Sequence, residues 1–116
     1  MKNIQLYERY NETNGRKSDM TTVTLGSTNI TVNKNGFGAL PIQRISTEDA
    51  VYLVRKAFHA GITFFDTARM YSDSEVKLGE ALDGIRDQVY IATKTGATDA
   101  EGFWKDLETS LTNLRT

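Results

Sequence analysis

Ile62-Thr63-Phe64-Phe65-Asp66-Thr67-Ala68-Arg69-Met70-Tyr71 runs from an apolar stretch into an acid and then a tyrosine, and Val89-Tyr90-Ile91-Ala92-Thr93-Lys94 is a second apolar stretch ending on an amine. Near-continuous apolar strands with little polar alternation fit a parallel sheet covered on both faces. Side chains alternate across a strand, so Ile62, Phe64 and Asp66 share one face while Thr63 and Phe65 share the other. By the same count Tyr90, Ala92 and Lys94 oppose Val89, Ile91 and Thr93, and the β-branched Val89 and Ile91 suit contact with helices. Asp66 and Lys94 are thereby expected on one face at the C-terminal ends of neighbouring strands, the rim on which parallel barrels build active sites.

Working outward, Phe37–Leu40 reads as an earlier strand stopped by Pro41, the only proline. Each strand is followed by a helical pattern. Ser46 is the expected N-cap of the first helix, with Glu48 and Asp49 in its first turn, a stripe of Ala50, Leu53, Val54, Ala57 and Phe58, and Gly61 just past its end. Ser72-Asp73-Ser74-Glu75 reads as a capping box ahead of a stripe of Val76, Gly79 and Leu82. Thr98-Asp99-Ala100-Glu101 repeats that pattern ahead of Phe103, Leu107, Leu111 and Leu114, and this last helix is expected to reach Thr116 uncapped. Before all of these, Thr22–Leu25 and Ile30–Val32 flank a glycine-containing turn and predict a hairpin. The fold expected is α/β: the N-terminal part of a (β/α)8 TIM barrel, an opening hairpin plus three βα units, with the barrel incomplete in a chain of 116 residues. Residues 1–19 are polar and aperiodic and are expected to form a flexible leader, and 20–116 the partial barrel, with Met20 as a candidate first residue of the domain.

Composition narrows the function classes. A formal net charge of −1 supplies no electrostatic reason for a nucleic-acid or membrane-surface partner. The chain has no cysteine, which removes disulfides, thiolate metal sites and cysteine nucleophiles from its own chemistry. No apolar run approaches membrane-spanning length and no secretory h-region opens the chain, so a cytoplasmic location is the expectation.

The run Gly61–Gly79, with Asp66-Thr67-Ala68, Tyr71 and Ser74-Glu75-Val76-Lys77-Leu78-Gly79 in order, together with Tyr90-Ile91-Ala92-Thr93-Lys94, resembles the signature of the aldo-keto reductases, and the opening hairpin resembles the one that plugs their barrel. The resemblance runs from about Thr22 to Thr116. It implies an NAD(P)H-dependent oxidoreductase that reduces aldehydes or ketones, with NADPH favoured over NADH and a small-molecule carbonyl as substrate. By position it implies Tyr71 as general acid, Lys94 as the cation that favours the ionised phenol, and Asp66 as the partner that holds Lys94. A nearby ammonium favours an adjacent phenolate, and efficient proton transfer wants a donor poised near the operating pH. Gly38, Ala39 and Leu40, with Asp66, correspond to positions near the family's cofactor. The family's active-site histidine lies on the next strand, beyond Thr116, and its main adenosine-phosphate sites lie later still. The 116 residues are therefore expected to be a truncated form with weak or no activity alone. Some bacterial relatives sharing the Gly36–Pro41 run carry a C-terminal iron–sulfur module, but without cysteine this chain could not hold such a cluster, and no metal site is expected in it.

Other readings of the same residues stay open at this level. Asp66 and Lys94 could be a structural ion pair, Tyr71 a loop aromatic, and Lys94 the Schiff-base amine of a barrel lyase. His59, late in the first helix, reads as a helix-terminal residue, and Trp104 as packing. Gly36 and Gly38 lack the third glycine of a dinucleotide fingerprint and read as close backbone approach. An open sheet edge after the third strand predicts self-association or binding of a complementary chain, a non-enzymatic alternative.

Overall fold

The computed structural model describes residues 22–116. The polar segment expected at 1–19, and Met20, lie outside the described residues. Thr22–Thr24 (β1) and Thr31–Asn33 (β2) form the antiparallel hairpin, with Val23 opposite Val32. Its turn is closed by the Leu25 N–H donating to the Ile30 carbonyl at 2.9 Å, and Gly26 and Asn29 both take positive φ there.

The second sheet is parallel, in the order Phe37–Gly38 (β3), Phe64–Asp66 (β4) and Tyr90–Ala92 (β5). Its strands are followed by Thr47–His59 (α1), Ser74–Ala81 (α2) and Ala100–Leu114 (α3). The expected hairpin and three βα units are thus present as an open sheet. β3 is shorter than the apolar run suggested, because Pro41 opens a 3-10 turn over Pro41–Arg44 that Leu40 already caps. Ser46 caps α1, its side chain accepting from the Asp49 N–H at 3.1 Å, and Gly61 follows the helix at φ 104°.

The core lies between the sheet and the helices. Phe65 from β4 and Val89 just before β5 pack with Ala39, Ile42, Ala50, Val54, Leu78, Ala81, Leu82 and Leu114. Burying a side chain of Phe or Leu size is worth roughly 1.5–3 kcal/mol, so Phe65, Leu78 and Leu82 anchor this layer. Phe64, Tyr90, Asp66 and Lys94 fall on the other side and remain partly or largely exposed. The face assignment from strand alternation holds for these four residues but not for Ile62, expected beside Asp66, which precedes the strand and packs against the core.

Several helix details differ from expectation. The second helix has no capping box. Asp73 is its N-cap residue without a side-chain cap bond, and pairs with Lys77 at 2.9 Å instead. Ser72 is drawn away to Gln43, and Glu75 points inward. The third helix is capped by Asp99, whose carboxylate accepts from the Gly102 N–H at 2.7 Å, and not by Thr98. It does not run on uncapped: Arg115 takes a left-handed conformation at its C-cap. Leu53, Val76, Phe103 and Leu111 are exposed although they were assigned to buried stripes. Each helix contacts the core along a narrower arc than its apolar residues span. Trp104, read as packing, is 61% exposed and makes an edge-to-face contact with Phe103.

Candidate active site

Two backbone bonds carry the parallel ladder beyond the ends of β4 and β5. The Thr67 N–H donates to the Ala92 carbonyl at 2.8 Å, and the Arg69 N–H to the Lys94 carbonyl at 2.9 Å. This brings Lys94 against the segment that follows Asp66. Its ammonium donates to both Asp66 oxygens, Oδ1 at 3.0 Å and Oδ2 at 2.9 Å, and to the Thr67 carbonyl at 2.6 Å. An ammonium has three hydrogens and here has three acceptors.

Tyr71 comes from the loop between β4 and α2. Its N–H donates to the Ala68 carbonyl at 3.0 Å, and its carbonyl accepts from the Ser74 N–H at 2.8 Å. That fold-back sets the ring 5.4 Å, centroid to Nζ, from Lys94, within cation–π range. Lys94, distant in sequence, therefore meets Asp66 and Tyr71 at one rim. The Lys94 and Asp66 side chains are 51% and 43% exposed, and an ion pair so open to water adds only about 0–1 kcal/mol to stability. Stability alone is a weak reason for this arrangement.

Of the four residues read as cofactor-binding, Asp66 lies at this rim and the other three fall differently. Gly38 stands opposite Asp66 in the parallel register, is exposed, and has nothing within 4 Å of where a Cβ would lie. Leu40 offers a half-exposed apolar side chain. Ala39 is turned inward and wholly buried, its N–H given to the Asp66 carbonyl and its own carbonyl accepting from Ser74 Oγ, both at 2.8 Å. The open margin at Gly38 and Leu40, beside a carboxylate held by an ammonium, suits a flat amide-bearing ring, so the residues present fit a nicotinamide. Neither glycine read as close approach is tight: a Cβ at Gly36 would meet the Phe64 ring at 3.4 Å, ordinary van der Waals contact, and one at Gly38 would meet nothing within 4 Å.

His59 ends α1, at the end of the sheet where β4 begins and opposite the Asp66 rim. Among the described residues no group of three or more His, Cys, Asp or Glu could hold a metal ion. A cavity of about 140 Å³ opens beside Lys94, walled by Phe103 and Leu107 of α3.

The sequence reading missed Glu75. It is buried at 1% exposure and accepts from Thr93, Ser110, Asn113 and Arg69. A signal for it did exist: Ser110 interrupts the line from Leu107 to Leu114 at helical spacing, which marks a polar group facing inward.

The profile of the Aldo/keto reductase family matches residues 26–116. L-galactose dehydrogenase of Arabidopsis thaliana is 37% identical over an alignment that takes in 78% of this chain and 33% of that protein. An aldo-keto reductase structure from Pseudomonas aeruginosa superposes with a TM-score of 0.78 at 30% identity, covering 85% of this chain and 44% of that one. The holo form of an aldo-keto reductase from Bacillus halodurans gives 0.75 at 26% identity, covering 84% and 37%. The chain spans about a third of the length of the Arabidopsis relative and less than half of each of these structures.

Proposed function

The chain belongs to the aldo/keto reductase family, and from that premise we propose that its protein is an oxidoreductase reducing aldehydes or ketones at the rim made by Asp66, Tyr71 and Lys94. The observation that carries this reading is the Lys94 ammonium, bonded to Asp66 and set 5.4 Å from the Tyr71 ring. When bound, NADPH or NADH would supply two electrons and a hydrogen to the carbonyl carbon and leave as the oxidised nicotinamide, with NADPH favoured. Gly38, Leu40 and Asp66 would border its ring. Tyr71 gives its phenolic proton to the carbonyl oxygen, so the product is the alcohol. Lys94 stabilises the phenolate left behind, and Asp66 keeps the ammonium in place.

The name of the Arabidopsis relative assigns it dehydrogenation of L-galactose, so a substrate panel should pair simple aldehydes and ketones with sugars tested in the oxidative direction. Tyr71→Phe in the complete protein is expected to lower kcat for carbonyl reduction by about 100-fold or more while leaving NADPH affinity, read by fluorescence quenching, within about twofold. Unchanged turnover would overturn the acid role. No helix among the described residues is long and apolar enough to cross a membrane, and a cytoplasmic location, where reduced nicotinamide is supplied, belongs to the same proposal.

For the 116 residues alone we infer little turnover, because the site faces solvent across an open sheet and water competes at the Lys94–Asp66 pair. A second reading has its own support. Among the described residues β5 is hydrogen-bonded only to β4, and Tyr90, Phe103, Trp104 and Leu111 are exposed. An unpaired edge with apolar neighbours favours assembly with a second copy or a complementary chain.

A further inference from the structure

Glu75 links the two arms of the site. Its Oε1 accepts from Thr93 Oγ1 and from Ser110 Oγ, each at 2.7 Å. Its Oε2 accepts from Asn113 Nδ2 at 3.1 Å and from the Arg69 guanidinium at 3.4 Å. Thr93 directly precedes Lys94, and Arg69 lies in the loop that delivers Tyr71, its N–H bonded to the Lys94 carbonyl. One carboxylate therefore grips the strand end that carries the lysine, the loop that carries the tyrosine, and α3 behind both.

Replacing a whole buried polar cluster by well-packed apolar residues is often neutral or better for stability, although removing one partner alone is costly. Packing by itself thus gives no reason for an acid at this position. What the carboxylate supplies, and a leucine cannot, is acceptance from both arms at once. We propose that Glu75 is a positioning residue, which sets the separation of Lys94 and Tyr71 through Thr93 and Arg69. This rests on the carbonyl-reduction reading above. Misplacing reacting groups by about 1 Å can cost on the order of 100-fold in rate, so the link should be visible in kcat.

Thr93→Val is the sharpest test, since it keeps the side chain's shape and removes the hydroxyl next to Lys94. In the complete protein it is expected to lower kcat about tenfold with KM within about twofold. It should also shift the ¹⁵N ammonium signal of Lys94 in lysine-labelled protein. Glu75→Leu leaves the Thr93, Ser110, Asn113 and Arg69 donors without their acceptor, so it is expected to lower the denaturation midpoint along with kcat, and Thr93→Val, which spares the other three donors, separates positioning from stability. Glu75→Gln should recover most of the rate, because the Thr93 and Ser110 hydroxyls can turn to accept from its amide while its oxygen serves Arg69 and Asn113. The core variant Val54→Ala serves as control and should leave kcat per folded molecule and the Lys94 signal unchanged.

If Tyr71→Phe abolishes reduction while Thr93→Val changes neither kcat nor the Lys94 signal, positioning by Glu75 is overturned and the reductase reading stands. If neither variant changes reduction, the reductase reading fails. The Lys94 signal then decides positioning alone: a shift in Thr93→Val supports it, and an unmoved signal overturns it.

Discussion

Ser72 adopts φ of +41°, a backbone region that costs a residue with a Cβ roughly 1–2 kcal/mol. Its hydroxyl reaches Gln43 Oε1 at 2.9 Å and ties the Tyr71 loop to the turn after β3, a bond at an exposed position that offsets the strain only in part. Ser72→Gly is expected to be as stable as the wild type or more so, by up to about 1 kcal/mol, whereas Ser72→Ala, which loses the bond and keeps the strain, should be less stable than both. Urea midpoints of the three proteins check that order. Asp66 and Lys94 could be placed in advance because strand alternation is strict and both follow unbroken apolar runs. Tyr71 was named from the motif, and its distance from Lys94 needed the loop's own hydrogen bonds. Glu75 was read only as part of a capping box because its partners Thr93, Ser110 and Asn113 lie far along the chain, and no local pattern joins them.

Gly79 shows what α2 requires of its surroundings. A Cβ there would collide with the Asn113 carbonyl oxygen and lie 3.1 Å from the Leu114 carbonyl carbon, so α2 and α3 cross backbone to backbone only because this residue has no side chain. Gly79→Ala gains about 1 kcal/mol of helix propensity but must push the helices apart. Overpacking of this kind costs typically about 1–3 kcal/mol, and with contacts this short we expect a net destabilisation of roughly 1–2 kcal/mol in chemical denaturation, together with disturbance of the Asn113–Glu75 bond. Unaltered stability would mean that the helices are not held at this crossing. The elements themselves were legible as strand–helix alternation, and Ser46 as a cap. The capping box before α2 was not, since Ser72 and Glu75 have tertiary partners that outbid the local backbone. Leu53 and Val76 were misplaced for a related reason: apolar periodicity reports which residues could be buried, and only the neighbouring helix decides which are.

For the molecule as a whole, the three-stranded sheet leaves its Lys94 face open and α3 presents Phe103, Trp104 and Leu111 outward. Sedimentation velocity on the 116-residue chain is expected to show concentration-dependent association, weakened by Trp104→Lys with Leu111→Lys. A monomer across the whole concentration range would remove the assembly reading. The order of hairpin and βα units and the placement of Asp66 and Lys94 at the ends of β4 and β5 were determined by the sequence alone, because strand period and apolar run length are local properties of a chain. The tertiary structure decided the inward turn of Ala39, the backbone contact that excludes a side chain at Gly79, and the burial of Glu75 between the two arms of the site. Those depend on where distant segments meet, and a buried charge takes its meaning from the donors that surround it in space.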